Sequence, residues 1–389
     1  SDMGVHMVRI NRAISSGLEA TGTEEPYSPP MRGGIMVDVI AKATNELNPT
    51  DILFQTPYWA QVKSHMGMAP LAFDIHSTET WGDVLVLIKD HCGHKMALVP
   101  QGPEYAPSED SYGQYLEDLS VALADRLEPD VAFIRYDLPW KSLYADEMQE
   151  QGWCAFPEAR IREMRMNMGT RFWNFKKASA DMTVASSLVV DLGGSEDDIL
   201  GRMKPKTRYN IGLARRKGVT VEKADSSNLA DFYGLYEQTA RRNGFAPCSS
   251  KQFSAMFRCN FGAKDEADIV FLLTRHGGDI LSGAIIGISG QHANFLYGAS
   301  GNIKRNYMAS SLMHWTGMRI ARQLGCRSYE MGAVSPTPDA THPFNGLHRF
   351  KVGFGGRIEL RSGSWDYPLN QGAYRAIQNA EAMYRELGA

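Results

Sequence analysis

The sequence predicts an α+β fold in which two similar units, each with a mixed sheet, follow one another along the chain. Three observations point there. Segments of helical and of strand periodicity alternate along most of the sequence. Their order in the second half repeats that of the first: helices, antiparallel strands, a helix, then a further strand. The length of 389 residues accommodates two to three units at roughly 150 residues each.

Residues 1–46 read as an N-terminal extension or linker, weakly patterned and interrupted by TGTEEPYSPP and MRGG. Order is expected from near Asp51. Pro57 opens a helix whose apolar positions Trp59, Val62 and Met66 share a face. Val84–Ile88 and Met96–Val99 read as strands around the turn His91-Cys92-Gly93-His94, followed by a helix at Tyr112–Leu127, a strand at Val131–Tyr136 and a helix at Trp140–Gln151. The second unit starts with a strand at Ser187–Asp191. Ser195 caps a short helix with Asp197 and Asp198 in its first turn, where the helix dipole favours them. A helix at Lys204–Lys217 is stopped by Gly218. Val219–Val221 is a strand, Asn228–Asn243 and Lys251–Phe261 are helices, and Ile269–Thr274, Ile280–Ile288 and Ala293–Tyr297 form a meander. A helix from about Ala309 to Leu324 ends at Gly325, and strands follow at Ser328–Met331 and Arg357–Leu360.

Charge and composition narrow the function. Lys and Arg number 41 against 44 Asp and Glu, a formal net charge of −3. That balance excludes coating or sliding along a long duplex, but not contact with one RNA end through a few cations. Hydrophobic residues at 43% and charged residues at 22% exclude a disordered or fibrous chain. The five cysteines, Cys92, Cys154, Cys248, Cys259 and Cys326, are odd in number and form no C-x-x-C pair, so reduced thiols are expected. No apolar run approaches the ~18 residues of a membrane span. No basic stretch followed by an apolar one marks a secretory leader, so the cytoplasm is the expected compartment.

Four segments invite a chemical reading. His91-Cys92-Gly93-His94 lacks the second ligand cluster that zinc needs, and reads as a hairpin turn. Lys204, Lys206, Arg208, Arg215, Arg216 and Lys217 crowd one helix, with positions 204, 208 and 215 on a common face. They are either a solvated face complementing the helix dipole or a contact for phosphate or tRNA. Phe350-Lys351-Val352-Gly353-Phe354-Gly355-Gly356 is dense in glycine beside a cation, which suggests close backbone approach. The polar, Pro-rich loop SPTPDATHPFNG at 335–346 precedes it.

Seven segments, in order, carry a resemblance: FQTPYWAQVKSHMG (54–67), LVPQGPEY (98–105), AFIRYDLP (132–139), MKPKTRYNIGLARRKGVTVE (203–222), LYGASG (296–301), LGCRSYEMGA (324–333) and HRFKVGFGGRIEL (348–360). Together they resemble the FemABX family, the aminoacyl-tRNA-dependent peptidyltransferases that build peptidoglycan cross-bridges. The resemblance implies two tandem acetyltransferase-like (GNAT) domains: 47–181, which binds the acceptor and is completed by 363–389, and 182–362 on the aminoacyl-tRNA side. Only about 25 residues separate Asn243 from Ile269, too few for the two long helices of a coiled-coil arm at ~1.5 Å per residue. The chain therefore resembles the armless, FemX-like subtype, which uses a soluble UDP-linked muropeptide. The junction Arg305-Asn306-Tyr307-Met308-Ala309-Ser310 lacks the glycine by which acyl-CoA-dependent relatives of this fold bind pyrophosphate.

Carried over residue by residue, the resemblance places Lys63 and Arg242 on the acceptor's diphosphate, Tyr297 along the acceptor site and Asp137 near its amine. Phe350 and Lys351 fall beside the tRNA ester. Glu330 and Ala333 depart from the family's Tyr-Asp-x-Gly-Gly. The implied reaction joins an amine to an activated ester, so positioning dominates, with Lys351 stabilising the carbonyl oxygen or the departing ribose oxygen. The expected role is amino-acid transfer in peptidoglycan biosynthesis, and through it in cell shape. The expected partners are aminoacyl-tRNA as co-substrate, contacted through Lys204, Arg208 and Arg215, and a UDP-linked or lipid-linked muropeptide. No cofactor, no metal, no stable membrane insertion and a monomeric chain are expected. Alternatives are tRNA-dependent transfer to a small metabolite or peptide amine, a CoA-dependent N-acyltransferase, and a non-catalytic binding protein.

Overall fold

The computed structural model describes residues 36–91, 93–153, 155–259, 267–338, 340–341 and 345–388. Its strands are β1 (Val37–Lys42), β2 (Ala69–Ser77), β3 (Trp81–His91), β4 (His94–Val99), β5 (Val131–Lys141), β6 (Lys176–Lys177), β7 (Ser186–Asp191), β8 (Thr220–Lys223), β9 (Asp268–His276), β10 (Asp279–Ser289), β11 (His292–Ser300), β12 (Ser328–Ala333) and β13 (Arg357–Pro368). Its helices are α1 (Pro57–His65), α2 (Tyr112–Ala124), α3 (Ala145–Gln151), α4 (Ala159–Asn167), α5 (Glu196–Arg202), α6 (Pro205–Arg216), α7 (Leu229–Asn243), α8 (Ser250–Cys259), α9 (Ala309–Gln323), α10 (Asn345–Lys351) and α11 (Gln371–Gly388).

The strands form one mixed sheet in the order β1-β2-β3-β4-β5-β13-β7-β12-β11-β10-β9-β8, with β6 paired to β13 off that path. The two halves repeat a pattern. In the first, β2, β3 and β4 form an antiparallel meander, α2 crosses over, and β5 returns parallel to β4. In the second, β9, β10 and β11 form the meander, α9 crosses over, and β12 returns parallel to β11. A parallel return needs a crossover, and a helix supplies it. The long strand β13 joins the halves. Its N-terminal part, Arg357–Leu360, pairs with β7, and the part from Arg361 pairs with β5.

Strand alternation explains the layering. Val84 and Val86 face α2, together with Ile134 and the α2 residues Tyr115, Leu116 and Leu119. Their neighbours Leu85 and Leu87 face the other way, into a core shared with Phe133, Phe232 of α7, Phe253 and Met256 of α8, and Tyr374 and Ile377 of α11. In the second half Leu272, Ala284 and Ile286 pack against Leu312, Met313 and Trp315 of α9 and Ile211 of α6. Strands buried on both faces read as continuous apolar runs, which is how β3 and β10 look in the sequence.

The expected α+β architecture and its mixed pairing stand. Between α7 and β9 the described residues hold one ten-residue helix, α8, and no arm. The caps also form: the Ser195 and Asp198 side chains bond each other's backbone amides reciprocally, and Gly218 and Gly325 end α6 and α9 at φ +78° and +94°.

Several expectations are corrected. Residues 37–42, placed in the linker, form β1, because Val39 packs into the α2-side core. β2, α4 and α11 were not foreseen. Trp140 does not start a helix: β5 runs through it to Lys141, since its indole is buried against Tyr112 and donates to the Pro103 carbonyl at 2.7 Å. Phe350 and Lys351 are the end of α10 rather than a turn. Residues 1–35, the bulk of the expected extension, lie outside the described residues, as do Cys92 of the hairpin and Cys154.

Candidate active site

A cavity of about 580 Å³ opens between the two halves of the sheet. Its walls include Trp59, Lys63, Gln101, Thr183, Tyr236, Gln252, Tyr297, Glu330, Ala333 and Lys351. Lys63, Tyr297 and Lys351, far apart in sequence, thus share one chamber.

Lys63 is presented by α1. Pro57 takes the first helical position and the Thr56 hydroxyl accepts the Trp59 amide at 3.2 Å, which fixes the start of the helix. Trp59 and Lys63, four residues apart, lie on one face, and the ammonium sits 4.8 Å from the indole centre. Lys63 Nζ donates to Gln252 Oε1 at 2.8 Å, and Gln252 Nε2 meets the Tyr297 hydroxyl. Burial pulls the Lys63 pKa down to about 8, with the Cys248 thiol opposing. The Tyr297 ring is locked edge-on against Phe253 at 4.8 Å.

Lys351 lines the same wall. Its ammonium donates to the Ala333 carbonyl at 2.8 Å. Burial pulls its pKa down to about 7, opposed by the charge of Glu330. Glu330 is itself buried and accepts both Nη atoms of Arg361, at 3.0 and 2.7 Å, with His292 Nε2 at 3.3 Å. Burial raises the Glu330 pKa, but Arg361 outweighs it and the carboxyl stays ionised, well below the usual carboxylate range. Ala333 faces Lys351 because β12 bulges there: three steps from Glu330 to Ala333 match two from Val189 to Ser187.

The glycines after Lys351 do approach a backbone closely, but it is the protein's own. A Cβ on Gly355 would lie 2.3 Å from the Arg202 carbonyl, and one on Gly353 2.3 Å from Thr207 Oγ1. Lys204 N also donates to the Gly353 carbonyl at 2.8 Å. The turn therefore docks the start of α6 against the end of α10, and so sets where Lys351 sits.

Other expected residues lie elsewhere. Phe350 turns away from its neighbour, its ring 5.4 Å from Phe354 and 5.7 Å from His314, and lines a separate cleft with Arg305 and Ser310. Consecutive helical residues point about 100° apart, and here Phe350 and Lys351 line different clefts. Asp137 is buried and off the cavity wall, accepting from Thr183 Oγ1 at 2.6 Å and Ser364 Oγ at 2.8 Å. Burial raises its pKa. Thr183 stands at the wall, held also by Gln101 at 3.1 Å. Arg242 is not on the wall either: it donates to the Ser300 carbonyl and hydroxyl and to Asn302 Oδ1, each at 2.8 Å. Lys204, just before α6, and Arg215 within it are exposed, while Arg208 donates to the Met203 and Leu200 carbonyls. Among the described residues no group of three or more His, Cys, Asp or Glu is arranged to hold a metal ion. Also among them, no helix is long and apolar enough to cross a membrane.

Sequence reasoning missed Gln252, Gln101 and Thr183. Only Trp59 carried a local signal, its spacing of four from Lys63.

Two half-sheets joined by a shared strand, with a chamber between them whose wall includes Lys63 and Lys351, define a class of two-lobed α+β proteins. The sequence model of the FemAB family matches residues 44–274 and 272–382, and the chain belongs to that family. A lipid II:glycine glycyltransferase of Staphylococcus aureus (strain USA300) is 24% identical over 258 residues, which cover 50% of this chain and 61% of the relative. The chain thus spans about three fifths of the length of the curated relatives it matches. The crystal structure of FemX superposes with a TM-score of 0.65 at 18% identity, covering 86% of this chain and 96% of that one, and shows that the fold is shared. A tandem GNAT protein from the clavulanic acid biosynthesis pathway gives a TM-score of 0.47 at 11% identity, covering 85% and 98%.

Proposed function

We propose that this protein transfers an amino acid from aminoacyl-tRNA to an amine of a peptidoglycan precursor, forming a cross-bridge peptide bond. The observation that carries the reading is one cavity whose wall includes both Lys63 and Lys351. It suits two large substrates that meet end to end. The family membership supports it, as does the name of the S. aureus relative, whose acceptor is lipid II.

The acceptor's diphosphate pairs with Lys63, which the Trp59 ring and Gln252 hold in place. The tRNA enters on the α6 side, where Lys204 and Arg215 are exposed. The acceptor amine attacks the ester carbonyl. The new C–N bond forms as the C–O bond to ribose breaks, and the amine loses a proton as the ribose oxygen gains one. Lys351 as ammonium stabilises the developing oxyanion and protonates the departing oxygen, then is reprotonated at the expense of the amine. A pKa near 7 suits both halves of that cycle. Asp137 acts through Thr183 rather than by touching the amine. No metal or cofactor takes part in this scheme.

The test incubates the protein with charged tRNA and either UDP-linked pentapeptide or its lipid-linked form. The expected product is a precursor heavier by one amino-acid residue in mass spectrometry. No product with any charged tRNA and precursors of several stem-peptide types overturns the proposal.

A further inference from the structure

One residue of the loop after β4 is held in a conformation that it disfavours. Gln101 takes φ +43°, in the left-handed region that a non-glycine residue enters when its surroundings compel it. Here they do. The Gln55 side chain donates to the Pro100 carbonyl at 2.6 Å and accepts the Leu85 amide at 2.8 Å. On the other side the Gly102 amide donates to the Asp137 carbonyl at 3.0 Å. A Cβ on Gly102 would lie 2.6 Å from Gln55 Nε2, so glycine is what lets the loop pack this closely. The result places the Gln101 side chain on the chamber wall, with the residue only 7% exposed.

The direction of the Gln101 carboxamide follows from its partners. The Ser364 hydroxyl accepts the Met182 amide at 2.8 Å and donates to Asp137 Oδ1 at 2.8 Å. The Thr183 hydroxyl donates its one proton to Asp137 Oδ2 at 2.6 Å. Toward Gln101, 3.1 Å away, it can therefore only accept, and so it meets Nε2. The carboxamide oxygen is left over: among the described residues it accepts no hydrogen bond, on a side chain that lines the chamber. A buried carboxylate thus orients, through two hydrogen bonds, an acceptor that the protein does not itself use.

The rest of the wall narrows what that acceptor can read. The ammonium groups of Lys63 and Lys351 only donate. The Tyr297 hydroxyl already meets the Gln252 amide, and Gln252 Oε1 takes Lys63. Among the described lining residues the one carboxylate is Glu330, committed to Arg361 at 3.0 and 2.7 Å. Asn294 also lines the wall, but no hydrogen bond among the described residues fixes its carboxamide. A ligand amine, whose N–H groups need an acceptor, finds Gln101 already aimed. A carboxamide oxygen also suits a nucleophile, because it holds an N–H without the negative charge that would stabilise the unreactive ammonium.

We propose that Gln101 orients the attacking amine, its Oε1 accepting one N–H so that the nitrogen lone pair is free to meet the ester. The preset acceptor stands on its own geometry. Its assignment to the attacking amine rests on the transferase reading above.

The test is calorimetric binding of two UDP-linked pentapeptides, one bearing lysine and one bearing norleucine in its place, which lacks only the amine. Gln101→Leu is expected to weaken the lysine peptide about fivefold, near the contribution of one hydrogen bond, and to leave the norleucine peptide unchanged. With charged tRNA present it should also lower kcat for the lysine peptide about tenfold or more. Gln101→Asn should act in the same direction. Asparagine tolerates a positive φ but draws the carboxamide back by one methylene, so this variant tests the proposal even where the leucine variant fails to fold. Equal weakening of both peptides, or of neither, overturns the proposal and leaves the transferase reading standing. Amine selectivity that is lost on Asn294→Leu and kept on Gln101→Leu overturns it too. If neither peptide binds the wild-type protein, the acceptor reading of the chamber falls and this assignment falls with it.

Discussion

The two lysines on the chamber wall are held by different means. Lys63 depends on side chains: an indole of its own helix and Gln252 of α8, which in turn meets Tyr297 of β11. Lys351 depends on backbone: it donates to a carbonyl that a β-bulge turns toward it, with a buried Glu330–Arg361 pair behind. A cation held by side chains can shift to meet a large ligand. One held by a strand and an ion pair stays in place. The transferase proposal puts binding at the first and bond-making at the second.

Lys351→Met breaks that comparison most severely. Loss of one charge-stabilising donor is expected to lower kcat by about 10²-fold or more, with the acceptor KM little changed. If kcat stays within a few fold, the bond-making end is not Lys351.

The pH profile is the next largest effect. Lys351 is charged below its pKa of about 7, so if the ammonium acts, kcat falls about tenfold per unit as pH rises beyond that value. Glu330→Gln removes the negative charge that favours the ammonium, so the descending limb should move to lower pH by about one unit. The same change leaves Arg361 buried without its counter-charge and should cost about 3 kcal/mol in denaturant unfolding. A limb that stays in place would separate the ion pair from the lysine.

Lys63→Met should raise the acceptor KM about tenfold with kcat within about twofold, the signature of binding shared by ground and transition states. Gln252→Leu, which loosens the same cation without removing it, should give a smaller rise of about threefold, near the contribution of a single hydrogen bond. The smallest effect is expected from Thr183→Val. It removes the hydroxyl between Asp137 and the chamber, and a change in kcat beyond about fivefold would place Asp137 nearer to the chemistry than its burial indicates.

The comparison also shows which parts of the site are legible without coordinates. The helix carrying Lys63 is announced by Pro57, by Thr56 as its cap and by the four-residue spacing from Trp59, all local features with local causes. The surroundings of Lys351 are not. The bulges at Ala333, at Leu296 beside Tyr297 and in β5 beyond Asp137 each re-aim a functional segment. Each exists only because a partner strand sets the register, so no single strand's sequence displays it.

By itself the sequence determined the α+β class, the order of most elements, the helix caps, the absence of room for an arm and the family. These follow from periodicity and from contacts within a few residues, where spacing along the chain is spacing in space. The tertiary structure alone decided that Gln252 meets Lys63 across 189 positions, that Phe350 and Lys351 face different clefts, and that Asp137 lies behind Thr183. Among the described residues it also left Ile161, Met164, Met168, Phe172 and Trp173 exposed. Those outcomes depend on which buried faces of distant segments find each other, and that is settled only when the whole sheet assembles.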